Sequence, residues 1–384
     1  MSFVAKTIEA LPGSGIRKFF DIAAGMEDVV SLGVGEPDFV TPWHIREEAI
    51  YSLERRRTMY TSNAGLPELR EEISRYMAAQ FALEYTPAQT LVTVGVSEGI
   101  DIAIRAIVDP GDEVLAAEPC FVSYKPCVTM AGGVPVPVPT SAANGFKITA
   151  EDIKAKLTPK TKAIILSYPN NPTGAILDKQ DLEDIAEVLR KRDIVVISDE
   201  VYAELTYGDT AHVSIASLPG MLEKTIVLNG FSKAFAMTGW RLGWACGPAA
   251  LIAAMTKIHQ YVLMCAPTAA QYAGLAALRH GAGDVAAMRK EYDARRRFLL
   301  AGLREMGLEC FEARGAFYLF PSIRGFGMGS EAFCERLLKE KRLAVAPGTA
   351  FGACGEGHIR CSYAYAIESI REALKRLRGF VEGL

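Results

Sequence analysis

Two short apolar runs, Ala163–Ser167 (AIILS) and Ile194–Ser198 (IVVIS), constrain this chain more than any other feature. Neither alternates with polar residues, which is the pattern of strands covered on both faces. Comparable runs fall at Leu91–Val94, Glu113–Ala117, Val134–Val138, Thr225–Leu228 and Leu242–Cys246. Helical stretches such as Gly99–Val108, Asp178–Arg190 and Pro248–Gln260 separate several of them. The alternation predicts an α/β fold with a mostly parallel sheet, right-handed crossovers and flanking helices.

Past Gly281-Ala-Gly283 the pattern changes. An Arg-rich amphipathic stretch, Asp284–Met306, leads to a strand-like Ala316–Phe320 and a helix over Ser330–Lys341. Strands around Leu343–Ala346 and Ile359–Ser362 and a terminal helix follow. We expect a large domain over 45–283, and a smaller α+β domain formed by 284–384 with 1–44 as its N-terminal arm. The segment Ala10–Ile16, with Pro12, Gly13 and Gly15, reads equally as a mobile flap or an ordinary arm.

Composition removes several function classes. Lys+Arg 42 against Asp+Glu 45 leaves −3, so no basic excess recruits nucleic acid. The longest apolar run, Ala249–Met255, has seven residues, whereas a membrane span needs about 20. The opening MSFVAKTIEALPGSG has no apolar core of a signal peptide. Eight cysteines show neither CxxC nor zinc-like pairing with the five histidines. They read as buried small hydrophobes of a cytoplasmic protein, and no metal is expected.

Common nucleotide, zinc and serine-hydrolase signatures are missing: no GxxxxGK[ST], no GxGxxG after a strand, no HExxH, no GxSxG. What remains stands at the carboxyl ends of predicted strands, where open α/β sheets bind ligands. Tyr168-Pro-Asn-Asn-Pro-Thr-Gly174 follows AIILS, and Asp199-Glu-Val-Tyr202 follows IVVIS. Asn229-Gly-Phe-Ser-Lys233 follows TIVL, and Arg241 opens the next strand. Each has an ordinary explanation alone: a turn for NNPTG, a helix cap for Asp199, surface charges for Lys233 and Arg241.

One chemistry accounts for all of them, that of pyridoxal phosphate. A buried lysine amine can condense with the cofactor aldehyde. A carboxylate such as Asp199 keeps the ring nitrogen protonated, so that the ring acts as an electron sink. Asn171 and Tyr202 can serve the ring oxygen. Arg241 offers the phosphate a guanidinium fork, and Val96-Ser97 offers it amides at a helix start.

The chain resembles the fold type I, pyridoxal-phosphate-dependent aminotransferases of class I, in the aspartate and aromatic subgroup. The likeness rests on SLGVGEPDFVTP (31–42), YTSNAGLPELR (60–70), VTVGVSEGI (92–100), DPGDEV (109–114), YPNNPTG (168–174), SDEVY (198–202), NGFSKAFAMTGWRLGW (229–244) and HIRCSYA (358–364), nearly the whole chain. It implies that Lys233 forms the Schiff base, Asp199 faces the ring nitrogen, and Asn171 with Tyr202 faces the ring oxygen. It further implies that Arg241, Ser97 and the Val96 amide surround the phosphate, with Ser232 weighed as a substitute for the hydroxyl missing at Gly230 against a side chain pointing away, and that Phe121 stacks on the ring. Arg360 would grip the substrate α-carboxylate beside Gly35 and Asn171. Tyr60 would reach the phosphate of a neighbouring subunit, which implies a homodimer with shared sites. The activity implied is ping-pong transfer of an amino group from an L-amino acid to a 2-oxo acid, with 2-oxoglutarate the expected acceptor.

Two positions depart from the pattern. Gly230 stands where many relatives carry a hydroxyl residue, and no arginine for a distal carboxylate is identified. Arg105 is weighed for that role against an ordinary surface charge. Three rivals stand beside the aminotransferase: a carbon–sulfur β-lyase on the same scaffold, a non-catalytic ligand-sensing domain, and a nicotinamide dehydrogenase. Residues 1–44 are too short and motif-poor for an appended DNA-binding domain, and the dehydrogenase glycine fingerprint is absent.

Overall fold

The computed structural model describes residues 3–13 and 25–384; of the segment 10–16, residues 14–16 lie outside them. In chain order the strands begin with β1 (Val30–Ser31), β2 (Thr90–Thr93), β3 (Glu113–Glu118) and β4 (Val134–Pro139). Then come β5 (Thr161–Ser167), β6 (Val195–Asp199), β7 (Thr225–Gly230) and β8 (Gly243–Cys246). The last are β9 (Tyr318–Leu319), β10 (Leu343–Ala344), β11 (Ala346–Pro347) and β12 (Ile359–Ser362).

Seven strands form one sheet in the order β2-β8-β7-β6-β5-β3-β4. The β3–β4, β3–β5, β5–β6 and β6–β7 pairs are parallel, while β8 is antiparallel to both of its neighbours. The non-alternating runs behave as predicted. Ile164, Leu166 and Val196 pack on one face with Ile185 and Leu189. Ile165, Ile197 and Leu228 pack on the other with Ile100 and Ile104. Helix Lys179–Arg190 shows how a crossover is specified: Asp178 caps it through a reciprocal box with Asp181. Its Leu182, Ile185, Ala186 and Leu189 are buried at the spacing of one helical face.

The carboxyl-terminal part carries the long helix Ala282–Glu305, the helices Ser330–Lys341 and Ile367–Val381, and an antiparallel sheet β11-β12-β9. β1 pairs in parallel with β10, and the Ser362 amide donates to the Leu32 carbonyl. Residues 30–32 are thereby fastened to the C-terminal unit.

Three local expectations are adjusted. The strand expected over Ala316–Phe320 pairs only at Tyr318–Leu319, since Ala316 takes the left-handed conformation at φ 56° and breaks the extended run. The run Leu343–Ala346 divides at Val345, because its halves join different sheets. The helix expected from Gly99 begins at Gly95, where the Glu98 carboxylate accepts the Val94 amide and caps the earlier turn. Among the described residues no helix is long and apolar enough to cross a membrane.

Candidate active site

β8 runs against the parallel strands, so its entry lies at the edge where β5, β6 and β7 end. Arg241, two residues upstream of β8, therefore arrives beside the groups that terminate those strands. A cavity of about 590 Å³ opens at this edge. Val96 and Ser97 enter it after β2, Phe121 after β3 and Asn171 after β5. Asp199 and Tyr202 enter from the end of β6, and Ser232 and Lys233 follow β7. Arg241, Gly35 and Arg360 complete the lining expected from the sequence.

Lys233 reaches into the cavity and its Nζ donates to the Gly35 carbonyl at 2.6 Å. Burial, then the charge of Arg360, lower its ammonium to about 8, with Arg241 adding to the effect and Glu36 and Asp199 opposing it. Asp199 is 4% exposed. Its Oδ2 accepts the Tyr124 hydroxyl at 2.7 Å and its Oδ1 the Val201 amide at 3.2 Å. Burial raises this carboxyl to about 6, while those two bonds hold it down. The Tyr202 and Tyr318 hydroxyls share a hydrogen bond of 2.8 Å, and burial pushes the Tyr202 phenol well up.

Arg360 is 3% exposed. It donates through Nη1 to Asn171 Oδ1 at 2.8 Å and through Nη2 to the Gly33 carbonyl at 2.6 Å. Its guanidinium lies 4.4 Å from the Tyr318 ring centre and 4.7 Å from that of Phe351. Its Nε is buried without a partner, and among the described residues no carboxylate pairs with it. A buried cation without an acid calls for an incoming anion.

The anion seat at Arg241 is built by glycines. A Cβ at Gly95, whose φ is +72°, would stand 2.7 Å from Arg241 Nη2. One at Gly243 would stand 3.0 Å from the Val96 nitrogen. Only bare backbone lets the guanidinium approach the first turn of helix Gly95–Ile107, where free amides favour phosphate. The glycine at 230 has a similar cause, since a Cβ there would lie 2.9 Å from the Gly243 Cα.

These groups fit pyridoxal phosphate: an amine, an acid, neutral oxygen partners, an anion seat, and the Phe121 ring on the wall. Two residues weighed from the sequence, Tyr60 for a neighbouring subunit's site and Arg105 for a distal carboxylate against a surface charge, stand outside this cavity. Tyr60 lies outside the cavity and is 78% exposed, and Arg105 pairs with Asp101 at 2.8 Å on its helix surface. Tyr124, Tyr318, Glu36 and Thr238 line the cavity without having been singled out from the sequence. Tyr124 had a signal, as a tyrosine three residues beyond Phe121 in EPCFVSY, while Tyr318 in AFYLF looks like a core residue. Among the described residues no group of three or more His, Cys, Asp or Glu could hold a metal ion.

The chain matches the family described as Aminotransferase class I and II over residues 27–377. It is 56% identical to the Putative aminotransferase YugH of Bacillus subtilis (strain 168), covering 99% of this chain and 98% of that one. It is 49% identical to the aspartate aminotransferase of Pyrococcus abyssi, covering 95% and 94%. Among solved structures, the aromatic aminotransferase of Pyrococcus horikoshii OT3 superposes with a TM-score of 0.91 at 45% identity, covering 96% and 99%. The chain therefore belongs to the class I and II aminotransferases, pyridoxal-phosphate-dependent enzymes that exchange amino groups between amino acids and 2-oxo acids.

Proposed function

We propose that this aminotransferase moves the amino group of aspartate, an aromatic amino acid or a related L-amino donor to 2-oxoglutarate. The names of its relatives, aspartate and aromatic aminotransferases, support that donor range. When bound, pyridoxal phosphate supplies an aldehyde that captures amines and a ring that absorbs electrons. Arg241, the Val96 amide, Ser97 and Ser232 hold its phosphate. Asp199 keeps a proton on its ring nitrogen, Asn171 and Tyr202 hold its ring oxygen, and Phe121 covers its face. Arg360 takes the donor α-carboxylate bidentately, with Asn171 and Gly35 beside it, and so fixes where Cα stands. Lys233 Nζ, the attachment point in the resting enzyme, removes the proton from the donor Cα and later returns it as a general acid.

The observation that carries this reading is the convergence of Lys233, Asp199 and the acid-free buried Arg360 on one cavity. The test is a panel of amino donors with 2-oxoglutarate, following glutamate formation by the wild type and by Lys233→Ala. Glutamate is expected from aspartate or aromatic donors, and its rate falls by several orders of magnitude without the lysine. Pyruvate and ammonia released from cystathionine, with no glutamate from any donor, would establish the β-lyase instead.

The working unit is a homodimer in which Tyr60 serves the partner's phosphate seat. Support comes from the exposed apolar side chains of Trp43, Ile50, Leu53, Met59, Tyr261, Val262 and Met264. Hydrogen bonds from Thr268 to the Met59 carbonyl and from Asn63 to the Met264 carbonyl bring these segments side by side. A division into 45–283 and 284–384 with 1–44 agrees with the seven-stranded sheet lying within 90–246 and the three-stranded sheet within 318–362. A cytoplasmic location is supported by the eight cysteines, all of which are free thiols.

A further inference from the structure

Resting on that reading, we propose that Tyr124 is a positioning residue whose hydroxyl holds the Asp199 carboxylate in its ionised form, so that the shared proton rests on the cofactor ring nitrogen. Tyr124 is 1% exposed and donates to Asp199 Oδ2 at 2.7 Å from the first turn of helix Tyr124–Met130. Its direction is set by two neighbours. The Phe121 ring meets it edge-on at 5.6 Å, the Ser167 hydroxyl lies beside its oxygen, and Ser167 is the register partner of Asp199 across β5 and β6.

Asp199 needs such help because its environment works against its charge. It is buried, and the adjacent Glu200 is a second buried carboxylate. The groups that act on it are few: the Tyr124 hydroxyl and the Val201 amide favour the carboxylate, Glu200 opposes it, and Lys233 favours it from across the cavity. The Val201 amide occupies Oδ1 at 3.2 Å, so the shorter contact is the one from Tyr124. A hydrogen bond from a neutral donor to the charged form lowers the acid's pKa, and its loss raises it. Without the hydroxyl, the proton between Asp199 and the ring nitrogen moves toward the carboxylate, and the ring becomes a poorer electron sink.

The test uses the holoenzyme loaded with ring-¹⁵N pyridoxal phosphate and compares wild type, Tyr124→Phe, and protein carrying 3-fluorotyrosine at position 124. The wild-type ¹⁵N signal should report a protonated ring nitrogen at neutral pH. In Tyr124→Phe it should move toward the unprotonated position, with kcat reduced by roughly ten- to a hundredfold, the range for a lost hydrogen bond to a charged group. The KM for the donor, which is set at Arg360, should change far less. The fluorinated residue keeps the shape and donates more strongly, so at neutral pH its signal should lie further toward the protonated position than that of wild type, whether or not the phenylalanine variant folds. A ¹⁵N signal identical in all three proteins would overturn the role of Tyr124 while leaving the aminotransferase reading intact. Wild type that takes up no cofactor would overturn both.

Discussion

At Lys233 burial and two neighbouring guanidinium groups act in one direction. The ammonium is brought from 10.5 to about 8, so about one amine in ten is neutral at pH 7. Only the neutral amine attacks an aldehyde. The rate of cofactor capture by cofactor-free protein should therefore rise about tenfold per pH unit below 8 and level off above it, followed by absorbance after rapid mixing. A rate still climbing at pH 10 would mean an ordinary solvated lysine. The folded chain also gives up this proton before the unfolded chain does, so stability increases with pH between about 8 and 10.5. Lys233, Asp199 and Arg360 were legible in the sequence because their chemistry is specific and their motifs are long. Tyr318 was not, because a tyrosine among Ala316, Phe317, Leu319 and Phe320 has the composition of a core strand. Only the folded chain shows its hydroxyl against Tyr202 and its ring under the Arg360 guanidinium.

The element that matters most is the turn from β2 into helix Gly95–Ile107, where backbone and guanidinium touch without an intervening side chain. Gly95→Ala should place a methyl against Arg241 Nη2 and force an alanine to φ near +72°. The strain costs about 1–2 kcal/mol of stability, and cofactor affinity should fall about tenfold or more as the anion seat opens. Cofactor titration with thermal unfolding checks both, and unchanged affinity would show that the close approach is incidental. The strands of the large sheet were readable to within about two residues, because unbroken apolar runs have few other uses in an α/β chain. Their direction was not. An apolar run is the same read either way, so the reversal of β8, which delivers Arg241, appears only in the pairing. Strands of two residues such as β1 and β10 carry no periodicity at all, and their pairing is set by the tertiary fold.

For the molecule as a whole, the exposed apolar side chains on helix Trp43–Glu54 and around 261–264 are the surface a second copy should cover. The wild type should sediment at twice the mass of one chain. Leu53→Glu combined with Val262→Glu should yield the single-chain species with little turnover, since the proposed reach of Tyr60 to the partner's phosphate seat is then lost. Full activity in a monomeric double variant would remove the shared site. Residues 33–35 lie close to the centre of this architecture. They follow a strand paired with β10, yet the Gly33 carbonyl receives Arg360 and the Gly35 carbonyl receives Lys233. One short strap thus ties down the guanidinium proposed to recognise the substrate, on β12, and the amine proposed to work on it, just past β7. Slack in that strap would release both cations together, so grip and turnover should fail or recover as one.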